Sequence, residues 1–270
     1  GRIIAALEEK GELDNTIILY MQDNGGCAEP VLTNRMAQPL TDEQMVLQPY
    51  PQDQVLTVRK PEYTRDGRFI RSGRGVMPGP ADTWVAYGEE WANASNTPFR
   101  LYKSFVHEGG IATPLIVHWP DGIAKKGLLV DEPGHLIDIM PTCLALAGVS
   151  FPEEFNGTGS VPPEGMSLLP ALAGKKLNRE YLFWEHEGNR AIRMGKWKLV
   201  SKLNTPMQFT PEDENSWELY DLEKDPSETE DLAAEHPDRV RKMAAKWEEE
   251  AVRLKAKPWP WEENARNPVR

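Results

Sequence analysis

Two short constellations in this chain hold residue types suited to chemistry. The first is Asp23-Asn24-Gly25-Gly26, which closes the apolar run Thr16-Ile17-Ile18-Leu19-Tyr20-Met21. A carboxylate and an amide oxygen side by side suit a hard cation such as calcium or magnesium. The two glycines let the backbone turn sharply and approach a ligand closely. The same four residues also make an ordinary Asx-type turn, so taken alone the motif leaves both readings open. The second constellation is Lys103, with His107 and Glu108 shortly after it. A lysine ammonium is a compact cation that can donate to an oxyanion and stabilise charge on a departing oxygen. By sequence alone it is one surface lysine among others. His107, and His186 between Glu185 and Glu187, are secondary candidates for substrate contact. His118 reads as a sheet-end or core residue, and His135 as a capping or packing one.

The elements that position these residues can be sketched from periodicity. Residues 2–10 read as a helix ended by Gly11. The run to Met21 has no polar alternation, which predicts a strand covered on both faces, as in a parallel sheet. Ligands of such sheets sit beyond the carboxyl ends of the strands, where Asp23 and Asn24 stand. A long, weakly periodic stretch follows over 27–97, of the kind that serves as a lid or binding loop. It contains Arg59, Lys60, Arg65, Arg68, Arg71 and Arg74. These could draw an anion toward an acidic protein, or be scattered solvated charges. Trp84–Pro98 is aromatic and turn-rich; it either lines a pocket or packs.

Leu115-Ile116-Val117-His118-Trp119 reads as a second buried strand, after the turn at Gly109-Gly110. Asp138 reads as the N-cap of a helix that tolerates Pro141 in its first turn and stops at Gly148. Residues 151–178 are rich in Pro and Gly and read as a linker; they contain the sequon Asn156-Gly157-Thr158. Residues 179–270 form a small α+β subdomain. It holds four short β-prone segments and a helix from Pro237, with Val240, Met243, Ala244, Trp247, Ala251 and Leu254 on one face. The fold class is therefore α/β: part of a mostly parallel sheet flanked by helices within residues 1–150, then a small antiparallel sheet with a C-terminal helix.

The chain has 270 residues and a formal charge of −11. That balance argues against a nucleic-acid partner, which favours a basic footprint. No apolar run is long enough to span a membrane as a helix. The first residues lack the pattern of a signal peptide and read as the interior of a helix, so the expectation is a chain truncated at its start. Cys27 and Cys143 allow at most one disulfide and show no metal spacing; both are expected to be small buried residues.

Four segments, in order, resemble the sulfatase family of the alkaline phosphatase superfamily. Ile18–Gly26 is similar to its strand followed by S-D-N-G. Pro98–Pro120 resembles its lysine-bearing element, E-G-G-I turn and next strand. Leu136-Ile137-Asp138-Ile139-Met140-Pro141-Thr142 is similar to its D-[IL]-x-P-T helix start. Trp217–Glu228 is close to its ELYDLxxDPxE segment. The resemblance spans nearly the whole chain but matches only the C-terminal half of a typical arylsulfatase. It implies that Asp23 and Asn24 are calcium ligands (magnesium being the alternative) and that Lys103 binds the sulfate and stabilises the leaving group.

The family nucleophile is a formylglycine made within C/S-x-P/A-x-R. No such run occurs here: Cys27 and Cys143 do not fit, and the starts at Ser150 and Ser160 reach Glu154 and Glu164 where arginine is needed. The implied function is the C-terminal portion of a calcium-dependent arylsulfatase-like enzyme, inactive by itself. Its substrate would be a sulfated small molecule or sulfated carbohydrate, and the family points to a periplasmic or secreted location. The alternatives are a phosphomonoester or phosphonate monoester hydrolase of the superfamily, or a non-catalytic binding or assembly protein. An incomplete sheet would leave an edge exposed, so a homo-oligomer is expected.

Overall fold

Ile3, Ile4 and Leu7 recur at helical spacing, and in the computed structural model they lie on α1 (Arg2–Glu9). Gly11 follows it at φ 67, the left-handed position that glycine adopts without a Cβ penalty. The structure describes residues 1–29, 40–58, 61–73, 75–86, 88–203, 210, 213, 216–257 and 259. Among these come β1 (Ile18–Met21), the short α2 (Asp42–Met45), α3 (Gly88–Ser95), the single turn α4 (Glu108–Ile111) and β2 (Leu115–His118). A 3-10 turn at Leu136–Asp138 leads into α5 (Ile139–Ala147). The two-residue strands β3 (Glu154–Phe155) and β4 (Thr158–Gly159) and then α6 (Leu169–Leu172) follow. The chain continues as β5 (Leu182–His186), β6 (Asn189–Met194), β7 (Trp197–Ser201), β8 (Glu218–Asp221) and α7 (Pro237–Arg253). Among the described residues, no helix is long and apolar enough to cross a membrane.

The mixed α/β class stands, and the C-terminal part has the expected antiparallel sheet and helix. Among the described strands the pairing is antiparallel, not the parallel pairing expected. β1 and β2 pair antiparallel, Ile18 opposite His118 and Met21 opposite Leu115. Nor are they covered on both faces: Tyr20 is 59% and Ile116 58% exposed. An unbroken apolar run reports that a strand prefers cover, but strand direction belongs to the pairing and has no local signature. The outward face of α5 is similarly bare. Met140 is exposed and so is Cys143, which is a free thiol rather than a buried residue.

Asp138 differs from expectation in the direction it faces. It makes no side-chain cap bond to α5. Its fully buried carboxylate instead accepts from His135 N at 2.8 Å and Met166 N at 3.0 Å, and pairs with Arg179 at 2.5 Å. The turn before α5 is capped by His135, whose Nδ1 accepts from Ile137 N and whose ring lies 5.6 Å from that of Trp184. Gly148 ends α5 in the left-handed conformation.

The four-stranded sheet, β5-β6-β7-β8 in sequence order, is covered on both sides. One face carries Ile192, Leu199 and Leu219 against Met243, Trp247 and Ala251 of α7 and against Trp259. The other face carries Ala191, Val200 and Tyr220 against Val106, with Ile111 beside it. Consecutive strand residues point to opposite faces, so each pair such as Leu199-Val200 serves both layers. The residue stripe of α7 is therefore core. Trp247 satisfies its indole N–H on Trp184 O at 3.0 Å, and Arg190 lies over the Trp217 ring at 4.2 Å.

Charges fix the sheet to α4 and to the segment that precedes it. Lys198, fully buried, stands 2.6 Å from Glu108 and 2.8 Å from Glu228, which is also fully buried. Glu228 further accepts the Glu108 backbone N–H at 2.7 Å. Arg100 Nη1 donates to Tyr220 OH and to the Glu228 carbonyl at 2.9 Å each, and approaches Glu218 at 3.3 Å. Glu218 also receives Tyr220 OH at 2.6 Å and meets His107 Nε2 at 3.1 Å. Burial raises the Glu218 pKa, but the bonds from His107 and Tyr220 and the Arg100 charge outweigh it and hold the carboxyl at about 2. Burial and then the bond to Glu218 push the Tyr220 phenol well above its usual value.

Two outcomes are expected. Lys198→Met leaves two carboxylates facing each other out of water and costs about 3–5 kcal/mol in urea unfolding. The double variant Lys198→Met/Glu228→Gln recovers part of that loss, and no recovery would contradict the pairing. The Glu218 carboxyl titrates lower folded than unfolded, so its stability is complete above about pH 4.5 and lost as pH falls toward about 2. Glu218→Gln therefore flattens the acid limb of a stability-versus-pH curve by roughly 2–3 kcal/mol; an unchanged slope would rule this out.

Candidate functional site

The first constellation stands just beyond β1, where the chain must pass very close to a second segment. Gly25 N donates to Gly110 O at 2.9 Å. A Cβ on Gly25 would lie 1.8 Å from Gly109 O, and one on Gly109 would lie 2.2 Å from Arg100 O. One on Gly110 would lie 2.0 Å from Phe105 O. Neither Gly25, Gly109 nor Gly110 has a positive φ. These glycines serve backbone contact, not a left-handed turn.

That contact carries Lys103 to the Asp23 turn. Lys103 N donates to Gly26 O at 3.0 Å, and Asn96 Oδ1 accepts from Gly26 N at 2.9 Å. The Lys103 ammonium pairs with Glu29 at 2.8 Å and lies 4.0 Å from Cys27 Sγ. The bond to Glu29 is the main influence raising its pKa; burial opposes, and the charges of Cys27, Glu29 and Asp23 reinforce it. Leu101 at φ 65 and Ser104 at φ 83 straddle the lysine in a conformation that costs non-glycine residues energy. Asp23 is exposed, and its carboxylate makes no hydrogen bond or ion pair with the described residues. Asn24 spends its amide N–H on Gly25 O at 2.8 Å, which leaves its side-chain oxygen for another partner.

The two histidines lie apart from this group. His107 is fully buried against Glu218, behind the glycine contact, and joins the sheet to the lysine segment. His186 is exposed at the end of β5, 3.9 Å from Glu187. Asn189 Nδ2 bonds both His186 O and Ser104 O at 3.0 Å, so the β5–β6 turn rests on the backbone next to Lys103. Asn96, Asn189 and Glu29 were not singled out from sequence. Their only local signal is a polar residue in a turn, which is common.

The described loop cations Arg65, Arg68 and Arg71 are already engaged. Arg68 pairs with Asp66 at 3.0 Å and Arg71 with Asp82 at 3.3 Å. Arg65 donates to the carbonyls of Pro51, Gln52 and Gln54. Arg59, Lys60 and Arg74 lie outside the described residues. As a cation site, the Asp23-Asn24 pair has suitable oxygen chemistry but too few oxygens for the six to eight that calcium takes. Among the described residues, no cluster of three or more His, Cys, Asp or Glu could hold a metal.

Two family models match the chain: one described as sulfatase over residues 1–149, the other as N-sulphoglucosamine sulphohydrolase, C-terminal, over residues 99–257. An uncharacterized sulfatase of Schizosaccharomyces pombe is 34% identical over 253 residues, covering 92% of this chain and 40% of its own length. An N-acetylgalactosamine-6-O-sulfatase of Bacteroides thetaiotaomicron is 30% identical over 161 residues, covering 55% of this chain and 30% of its own length. The chain thus spans well under half the length of these relatives.

Two solved structures share the fold. The crystal structure of Ps i-CgsB aligns with TM-score 0.57 and 22% identity over 96% of this chain and 45% of that one. A protein in complex with its substrate D-glucosamine-2-N,6-O-disulfate aligns with TM-score 0.52 and 22% identity over 96% of this chain and 38% of that one. The glycine-locked turn beyond β1, the lysine segment against it and the C-terminal sheet all fall within the matched regions, and the chain belongs to the sulfatase family.

Proposed function

We propose that this chain is the C-terminal portion of a sulfate-ester hydrolase whose substrate is a sulfated carbohydrate or a sulfated small molecule. The observation that carries this reading is a backbone contact, possible only for glycine, that brings the Lys103 segment beside the Asp23-Asn24 turn. Membership of the sulfatase family supports it. The glucosamine disulfate bound by one structural neighbour favours a sulfated sugar over a simple aryl ester.

Asp23 and Asn24 would supply two of the oxygens around a calcium ion, with magnesium the alternative, and the remaining oxygens would come from outside the described residues. When bound, such an ion polarises a sulfate oxygen. The chain's own residues bind and orient. The Lys103 ammonium now holds the carboxylate of Glu29 at 2.8 Å, and an incoming sulfate would compete for that partner. From there the ammonium offsets negative charge as it builds on the ester oxygen. The Asp23 carboxylate keeps the turn attractive to a cation, and Gly25 lets the turn lie flat on α4. The nucleophile is assigned to none of these residues, because no C/S-x-P/A-x-R run occurs among them. The family's formylglycine would belong to the rest of the polypeptide.

In the complete enzyme, Lys103→Ala should lower kcat/KM for an aryl sulfate by about 100- to 1,000-fold, the loss typical of removing one preorganised donor. The loss should grow as the leaving group becomes poorer. Aryl sulfate and aryl phosphate assayed side by side test the reaction class, and preferential turnover of phosphate would overturn it. Residues 1–270 by themselves should bind calcium no more tightly than about millimolar, since few oxygens are present. Calorimetry showing tight binding that Asp23→Ala abolishes would contradict the shared-ligand reading.

A further inference from the structure

Asn96 sits where three pieces of backbone meet. It follows α3, and its own N–H bonds Ala92 O at 3.2 Å while its carbonyl accepts from Phe99 N at 2.9 Å. Its side chain reaches both halves of the site. Oδ1 accepts from Gly26 N and Nδ2 donates to Leu101 O, each at 2.9 Å. The amide orientation follows from the partners, because a backbone N–H needs the oxygen and a carbonyl needs the nitrogen. The side chain also lies over Gly25, where an added Cβ would meet Nδ2 at 3.2 Å.

Both partners are critical ones. Gly26 is the residue that receives Lys103 N–H, directly after the Asp23-Asn24-Gly25 turn. Leu101 is in the left-handed region at φ 65, two residues before Lys103. A non-glycine residue persists there only when its surroundings over-determine it. The bond from Asn96 to the Leu101 carbonyl is one such restraint. A single side chain therefore ties the turn bearing the two candidate cation ligands to the strained segment that aims the lysine.

We infer that Asn96 is a positioning residue: it sets the placement of the Lys103 ammonium relative to the Asp23-Asn24 turn without itself touching substrate. This inference rests on the reading of Lys103 given above. Replacement by alanine leaves Gly26 N–H and Leu101 C=O unpaired and lets the two segments drift. Asn96→Asp keeps the acceptor for Gly26 and loses the donor to Leu101, so it separates the two bonds.

The test is a double-mutant cycle in the complete enzyme, with melting temperature and hydrogen exchange measured on each variant. Asn96→Ala should lower kcat for a sulfate ester by about 10- to 100-fold, as expected of a misplacement near 1 Å. KM should move by less than about threefold, because a positioning loss falls on the transition state. In a Lys103→Ala background the same substitution should cost less than about twofold, since the group it positions is gone. Gly26 should exchange its amide hydrogen faster in Asn96→Ala and not in Asn96→Asp. The inference is overturned if Asn96→Ala keeps normal kcat, or if its cost is undiminished beside Lys103→Ala, which marks general destabilisation. If Lys103→Ala is itself silent, the functional reading falls and takes this inference with it. If Lys103→Ala is impaired and Asn96→Ala is not, only the inference falls.

Discussion

One ammonium group determines how the two parts of this molecule face each other. Lys198 on β7 is fully buried and reaches Glu108 on one side and Glu228 on the other. Removing three charges from water costs several kcal/mol per ion, so the group contributes less to stability than to specificity. Few other placements of the sheet would satisfy Glu108 and Glu228 at once. Glu108 opens α4, whose glycines press against the Asp23 turn, so the register of β7 is transmitted to the candidate site through one rigid turn. Arg100 and His107 repeat the theme by meeting Glu218 on the neighbouring strand.

The site itself is built from backbone more than from side chains. Gly25, Gly109 and Gly110 each lie closer to a carbonyl oxygen than any Cβ could, which removes the usual cushion between segments. Lys103 then projects from a stretch whose flanks, Leu101 and Ser104, are held in positive φ. A lysine on an ordinary loop samples many rotamers. Here the backbone below it is held from Gly26, Asn96 and Asn189, so the base of the side chain has a defined position.

Much of this architecture could be read from sequence where the determinant is local. Gly11 and Gly148 marked helix ends because the left-handed conformation favours glycine, and both adopt it. The Met243-Trp247-Ala251 spacing marked the buried face of α7, and four β-prone segments became β5 to β8. What stayed hidden depends on partners far away in sequence. The direction of β1 against β2, the carboxylates around Lys198 and the turn of Asp138 toward Arg179 leave no periodic trace. Of the candidate site residues, Asp23, Asn24 and Lys103 are marked by segments that resemble the sulfatase family. Asn96 and Asn189 are not, because an asparagine in a turn looks the same whether it serves its own loop or another.

The bond between Gly26 and Asn96 spans 70 positions of chain. Closing so long a connection carries an entropy cost before any contact repays it. The same logarithm has a second face. Doubling the connection adds only about 0.6 kcal/mol, so insertions and deletions there are cheap. The stretch also satisfies many of its own polar groups, as in Tyr63 against Phe69, Arg71 against Asp82 and Arg65 on nearby carbonyls. Evolution can therefore lengthen, trim or exchange the segment while the glycine contact holds the two ends at a constant separation.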